Sequence, residues 1–297
     1  MSSAATVDTN SGNPSKAKEH MMAIVAMVNQ KGGVGKSSTT MHLGGALARR
    51  GLRVLVVDND AQASLTKGLL GDEPARALDP VTTVYALYAG IPTPEDLLVR
   101  ATDFDGLALL AGSPASISFN VPDPHLIDPR EQAVLRDALR PIAEGFDVTL
   151  IDCCPNLQRA TWSALLAADA ALIPTMPELF GAQGLAEVRD WVALVEQTWG
   201  RSLPIAGVLV TMFNGRRAMH RTFAELLADG CPELFEATVP ESADFPEAIA
   251  AGKPIHYHKA RGAAARAIDA VANELLTRLA DLGLRTDESD DTSREAA

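Results

Sequence analysis

The sequence predicts an α/β fold, a mostly parallel sheet with helices on both faces. Three features predict it: apolar runs of strand length that are continuous rather than alternating, helical patterns between them, and a glycine-rich turn joining the first run to the first helix. In chain order, Ala23–Val28 (AIVAMV) is the first buried strand, and a helix follows from about Ser37 to Arg50. Gly51 ends that helix, as glycine does just past a C-terminus. Val54–Val57, Leu107–Leu110, Val148–Ile151, Ala171–Ile173 and Ile205–Val210 read as further strands. Helices are expected near Asp128–Ala143, Leu179–Thr198 and Ala218–Leu227, and Ala260–Leu282 reads as a long amphipathic helix. In such sheets ligands bind beyond the carboxyl ends of the strands.

The chain has 297 residues, 47% of them hydrophobic, enough for a large buried core in one large domain or at most two. Residues 1–21 are polar without an apolar run, and residues 285–297 (RTDESDDTSREAA) are acidic and polar. Both are expected to be disordered tails around a folded body at 22–284. No stretch approaches the roughly 20 apolar residues of a membrane span, and no basic-then-apolar leader opens the sequence. The three cysteines, Cys153, Cys154 and Cys231, lack framework spacing, which fits a reducing cytoplasm. Cys153 and Cys154 read as small residues ending a buried strand rather than as a metal or redox site, because no other Cys or His sits at ligand spacing nearby. A net charge of −12 argues against a generally basic nucleic-acid coat but leaves room for a local basic patch.

Asn29-Gln30-Lys31-Gly32-Gly33-Val34-Gly35-Lys36-Ser37-Ser38 lies between the first strand and the first helix. Consecutive backbone N–H groups, free of bulk at Gly32, Gly33 and Gly35, can wrap a β-phosphate, and the helix N-terminus adds a positive dipole end. Lys36 supplies a point charge to the β- and γ-phosphates, the Ser37 hydroxyl can ligate Mg²⁺, and Ser38 can donate to the α-phosphate. The usual G-x-x-x-x-G-K-[ST] pattern is not strictly met: Gln30 stands at its first glycine and an additional lysine, Lys31, follows.

Lys-Gly-Gly-Val-Gly-Lys-Ser resembles the deviant Walker A motif of the ParA/MinD ATPases, and the preceding Asn29-Gln30 is more similar to ParA than to MinD. The resemblance implies a P-loop ATPase whose Lys31 crosses a face-to-face homodimer and touches the partner's nucleotide. Dimerisation would then depend on the γ-phosphate. Cofactors implied are ATP and Mg²⁺.

Val54-Leu55-Val56-Val57-Asp58-Asn59-Asp60-Ala61-Gln62 resembles the family's Asp-x-Asp-Pro-Gln segment. By that resemblance Asp60 positions the attacking water near Mg²⁺ and Asp58 supports the magnesium site. Ala61 replaces the family's proline and should loosen the loop. Val148–Asp152 is an apolar strand ending in one acid and reads as Walker B, with Asp152 reaching Mg²⁺ through water. Cys154 stands at one of the family's two prolines. Thr211–Arg216 resembles the family segment beside the adenine, making Met212 and Asn214 candidates there. The match extends over nearly all of residues 22–282.

Arg216, Arg217 and Arg221 form a candidate DNA contact, Arg216 matching a family position of non-specific DNA contact. Lys253, Lys259, Arg261 and Arg266 make a second basic group, with His256 and His258 between. That histidine pair lacks a nearby acidic or cysteine partner and is not expected to bind metal. Where the family commonly reads Pro-Arg-Asn-x-Arg, this chain has Pro240-Glu241-Ser242-Ala243-Asp244, two acids for two cations. The expected function is a partition ATPase for a chromosome, plasmid or protein cargo. It would dimerise on ATP, bind DNA without sequence preference at the nucleoid, and be released when a ParB-like partner stimulates weak hydrolysis. The alternative is a nucleotide switch or scaffold acting only through protein partners. A MinD-like membrane switch is disfavoured by the acidic C-terminus.

Overall fold

The computed structural model describes residues 20–178 and 181–286. Its elements in chain order are β1 (His20–Met21), β2 (Ala23–Met27), α1 (Lys36–Arg49), β3 (Val54–Asn59), α2 (Ser64–Leu70), α3 (Asp72–Arg76), α4 (Val84–Ala89), α5 (Glu95–Leu98), β4 (Val99–Ala101) and β5 (Leu107–Leu110). There follow α6 (Pro129–Ala143), β6 (Val148–Cys153), α7 (Arg159–Ala167), β7 (Ala170–Thr175), α8 (Gly181–Trp199), β8 (Ile205–Val210), α9 (Ala218–Gly230), α10 (Asp244–Ala250), α11 (Ile255–His258), α12 (Ala263–Asp281) and β9 (Arg285–Thr286).

Seven strands form one sheet in the order β4-β5-β3-β6-β2-β7-β8, parallel except for β4, which pairs antiparallel with β5. The expected strands are all present. The strand expected at Val148–Ile151, with Asp152 at its end, runs on through Asp152 and Cys153. The helix expected at 179–198 is described from Gly181 onward, its first two expected residues lying outside the described residues. The expected tails change at their inner edges. His20 and Met21 pair with Thr286 and Arg285 in a two-stranded antiparallel ribbon, a pairing of backbone groups that needs no apolar pattern in the sequence. Residues 1–19 and 287–297 lie outside the described residues.

Apolar residues on the two sides of the sheet make two cores. One gathers Leu135, Leu139, Trp162, Leu165 and Val188 from α6, α7 and α8 against Ile24, Val57 and Ile151. The other gathers Met41, Leu43, Leu47, Ile268 and Leu275 from α1 and α12 against Val25, Val56 and Leu150. Strands buried on both faces have no polar face to alternate with, which is why their sequences are continuously apolar.

α1 is packed so closely that two of its positions admit no side chain. A Cβ at Gly45 would lie 2.3 Å from Pro254 Cβ, and one at Gly44 would lie 2.8 Å from Val56 Cγ1. Its C-terminus closes as the sequence predicts, with Gly51 at φ 87° donating to Ala48 O at 2.9 Å. Behind α1, the buried His42 accepts from the Ile255 N–H through Nδ1 at 3.0 Å and packs on Phe245, ring centroids 5.1 Å apart. The helix that carries the phosphate loop is thus tied to α10 and α11.

Candidate functional site

Register places the candidate acids together. Met27 of β2, Asp152 of β6 and Asp58 of β3 stand side by side on three adjacent strands, so the loops after β2 and β3 open at one edge of the sheet. Between them lies a cavity of about 340 Å³ lined by Gly32, Gly33, Gly35, Lys36, Ser37, Ser38, Asp60, Gln62, Ser64 and Pro155.

The loop reaches α1 through left-handed backbone at Gly33 (φ 79°) and Gly35 (φ 82°), conformations that a residue with a Cβ rarely adopts. Gly35 is the N-cap of α1 and offers no side chain to the helix end. The first-turn N–H groups of Lys36, Ser37 and Ser38 therefore face the cavity without an intrahelical acceptor. Val34 is buried, and its carbonyl accepts from Thr211 Oγ1 at 2.8 Å, which buckles the loop to the end of β8. Thr211 N–H also donates to Thr175 O of β7.

Lys36 is 6% exposed, and its Nζ donates to Asn29 O and Lys31 O at 3.0 Å each. Burial lowers its pKa, and the nearby Asp152 pulls it back up. Lys31 takes a different course. Its backbone N–H donates to Asn29 Oδ1 at 2.9 Å, while its ammonium pairs with Glu178 just beyond β7. Asn29 is itself fixed by an Nδ2 bond to Pro174 O at 2.8 Å.

Asp152 is wholly buried, and neither carboxylate oxygen has a hydrogen-bond partner. Burial and the adjacent Asp58 raise its pKa well above its ordinary value, while the Ser37 hydroxyl and Lys36 oppose that shift. A buried acid with both oxygens orphaned beside a serine hydroxyl fits a divalent cation, which would supply the missing charge. Among the described residues no three His, Cys, Asp or Glu side chains are gathered to cage a metal. The fit is therefore to a cation such as Mg²⁺ that shares its ligands with phosphate and water.

Asp58, expected to support that cation, is differently engaged. Its Oδ2 accepts both the backbone N–H and the hydroxyl of Thr66 at 2.7 Å, and its Oδ1 accepts the Asp60 N–H at 3.3 Å. Burial raises its pKa to about 6, and the Thr66 donors hold it from going higher. Thr66 Oγ1 also accepts from Gly112 N–H at 2.8 Å, and a Cβ at Gly112 would lie 2.8 Å from Asp58 Cγ. Asp58 thus anchors the loop that carries Asp60. Asp60 borders the cavity, its Oδ1 accepting the Gln62 N–H at 2.9 Å. Just after it, Ala63 adopts left-handed backbone at φ 52°.

Met212 holds left-handed backbone at φ 51°, and its Cε is within 3.8 Å of where a Gly35 Cβ would be. Asn214 has its side chain in use: Oδ1 accepts Arg216 N–H at 3.1 Å and Nδ2 donates to Glu241 at 2.9 Å. Of the candidate DNA contacts, Arg217 is paired with Glu241 at 3.1 Å and Arg221 donates to Gly215 O at 2.7 Å. Arg216 is exposed without an ion pair among the described residues. Cys153 and Cys154 are free thiols, both buried, and burial raises both pKa values, as the strand-end reading requires. His256 is buried with Nε2 3.1 Å from Asp269, and His258 lies 4.0 Å from Glu247, so each has an acidic neighbour that the local sequence did not show.

Sequence reasoning did not find Thr66, Glu178 or Thr211 as supports of this site. Glu178 and Thr211 act across long separations, 147 residues to Lys31 and 177 to Val34, whereas Thr66 lies 8 residues from Asp58 and carries no motif signal of its own.

Residues 22–205 match the model of a family described as an AAA domain. Over 260 residues the chain is 34% identical to the chromosome partitioning protein ParA of Myxococcus xanthus, covering 86% of this chain and 88% of that one. Over 257 residues it is 33% identical to the sporulation initiation inhibitor protein Soj of Bacillus subtilis, covering 86% and 98%. Among solved structures, cobyrinic acid a,c-diamide synthase from Mycobacterium smegmatis with bound ADP and magnesium matches with a TM-score of 0.72 at 26% identity, covering 89% of this chain and 97% of that one.

Proposed function

The chain belongs to the ParA/MinD family of AAA-domain ATPases with a deviant Walker A loop, and we propose that it is an ATP-driven dimer switch of the partition type. The observation that carries this reading is that Lys36, Ser37 and Asp60 line one cavity at the carboxyl edge of the sheet, with the orphaned carboxylate of Asp152 buried at the end of β6 beside them. ATP and Mg²⁺ are its cofactors. Backbone N–H groups of the loop and the Lys36 ammonium would hold the phosphates, and Ser37 and Asp152 would hold the cation. When bound, Mg²⁺ supplies positive charge to the phosphate oxygens. Asp60 orients the attacking water; no side-chain nucleophile is needed.

Lys31 carries the switch. In one chain its charge is answered by Glu178. In the ATP dimer it exchanges that carboxylate for the partner's nucleotide, so dimerisation follows the nucleotide state. Hydrolysis is weak until a ParB-like partner protein stimulates it. The exposed Arg216, with Arg217 and Arg221 beside it, gives the dimer a phosphate-binding face for DNA without sequence preference. A second reading, a switch acting only through protein partners in the cytoplasm, is favoured by one observation: Arg217 is already neutralised by Glu241. No helix among the described residues is long and apolar enough to cross a membrane.

The test is DNA mobility of the Asp60→Ala protein, which keeps Mg²⁺-ATP but lacks the water-orienting carboxylate, at low and moderate salt. Binding that requires ATP, ignores sequence and weakens steeply with salt is expected, each neutralised phosphate contributing a slope of about −0.9 in log K against log salt. Arg216→Glu should abolish it without affecting ATP-dependent dimer mass. No binding at low salt selects the protein-partner reading.

A further inference from the structure

The segment that carries two acids in place of two cations is laced to the candidate DNA loop by its backbone. Phe213 N–H donates to Val239 O at 2.9 Å, and Glu241 N–H donates to Phe213 O at 3.0 Å. This fixes Glu241 beside residues 214–217 whatever its side chain does. Its carboxylate then accepts from Arg217 on one oxygen at 3.1 Å and from Asn214 on the other at 2.9 Å. Three residues on, Asp244 accepts from Lys259 Nζ at 2.8 Å. The two acids therefore reach into two different basic groups, one at the start of α9 and one just after α11. Each occupies one cation there.

Both pairs are open to solvent on the cationic side, with Arg217 57% and Lys259 58% exposed. Exposed pairs of this kind hold weakly and exchange readily. They suit a replaceable counter-charge better than a structural clamp. A polyanion phosphate offers the same cations a stronger partner, because each neutralised phosphate also releases a condensed counterion. The displaced carboxylate, however, stays tethered where the phosphate arrives and repels it.

We propose that Glu241 and Asp244 are built-in counter-charges that occupy Arg217 and Lys259 in place of nucleic-acid phosphates. The chain's own carboxylates thereby set its affinity for a phosphate backbone. This rests on the phosphate-binding face assigned above, and it extends that face from α9 to Lys259.

The test compares the full-length protein with Glu241→Gln, Asp244→Asn and their combination. A fluorescent duplex of mixed sequence is titrated in Mg²⁺ and a non-hydrolysable ATP analogue, over a salt series. Both substitutions keep side-chain size and a hydrogen-bond acceptor, and dimer mass and thermal midpoint check that the fold is intact. The combined variant should bind at least about tenfold more tightly, with a salt slope steeper by up to about 1.8 per protomer, or about 3.6 for the dimer, from the two cations freed on each. Asp137→Asn with Glu144→Gln changes net charge equally at α6 and its C-cap, freeing Arg136 rather than a cation of either basic group, and should shift affinity by less than about twofold. If the wild type binds and the combined variant binds with the same affinity and slope, the counter-charge proposal is wrong and the DNA reading stands. If only the variant binds, the proposal stands and the wild-type DNA reading falls. If neither binds, both fall. A gain equalled by the α6 control also overturns the proposal.

Discussion

Replacing His42 by Asn should flatten the acid side of the stability profile. His42 is 0% exposed on α1, its Nδ1 accepts from Ile255 N–H, and its Nε2 has no partner. Burial, helped by repulsion from His256, lowers its pKa from 6.5 to about 3. The folded state therefore refuses a proton that the unfolded chain takes up below pH 6.5. Where the unfolded state binds more protons, stability rises with pH, so this group's contribution is fully present above pH 6.5 and is lost as pH falls towards 3. At 1.36 kcal/mol per pKa unit, and with the unfolded group already partly protonated near 7, the loss between pH 7 and pH 5 is about 2 kcal/mol. Asn does not titrate, and its Oδ1 can accept the Ile255 N–H in place of Nδ1. The assay is urea unfolding of both proteins at half-unit steps from pH 5 to 7.5. His42→Asn should start less stable, because it underfills the site beside Phe245, and the gap should narrow by about 2 kcal/mol towards pH 5. Parallel profiles would falsify the idea that a neutral buried His42 holds α1 to α10 and α11.

Lys36→Ala should lose nucleotide-dependent dimerisation because the β- and γ-phosphates lose their fixed cation, whereas Lys31→Ala should bind ATP yet stay monomeric. Light scattering and ATP affinity measured together separate the two, and the same oligomeric state for both in ATP would sink the roles assigned to the lysines. Gly45→Ala should lower the urea midpoint by the equivalent of about 1–2 kcal/mol without changing the m-value. Its new methyl would overlap the rigid Pro254 ring, which outweighs the helix propensity gained. An unchanged or higher midpoint would mean that α11 moves aside freely.

The parts of this fold that the sequence displayed are those whose cause is local. A strand buried on both faces is apolar throughout, so β2, β3, β6, β7 and β8 announce themselves. The phosphate loop is contiguous, and two of its glycines are required by positive φ at Gly33 and Gly35. What did not show has other causes. The helices α2 to α5 are 4 to 7 residues long, at most two turns, too short for a period to emerge. β4 is a three-residue edge strand, Val-Arg-Ala, with no buried position to mark it. The partners of the charged groups were hidden for a third reason. Nothing near Lys31 in sequence points to Glu178, and nothing near Arg217 points to Glu241, because ion pairs on loops follow from tertiary approach alone.

The electrostatics of the sheet edge explain why nucleotide and cation belong together. Asp58 and Asp152 are register partners on β3 and β6, both wholly buried, and the Asp58 charge raises the cost of ionising Asp152. Asp58 is partly relieved by two donors from Thr66 and stops near 6. Asp152 is raised by burial and by Asp58, and only Ser37 and Lys36 oppose that rise. The nearest ammonium, Lys36, is held by the carbonyls of Asn29 and Lys31, which fix its position but leave both Asp152 oxygens unbonded. The edge is therefore short of positive charge at Asp152 and rich in unanswered N–H donors across the cavity at the start of α1. A bare polyphosphate would satisfy the donors and worsen the acid's position. A bare cation would do the reverse, with only one serine and one carboxylate to hold it. A ligand that brings phosphates and a divalent cation as one unit answers both sides at once, and the register of β2, β6 and β3 sets the two sides next to each other.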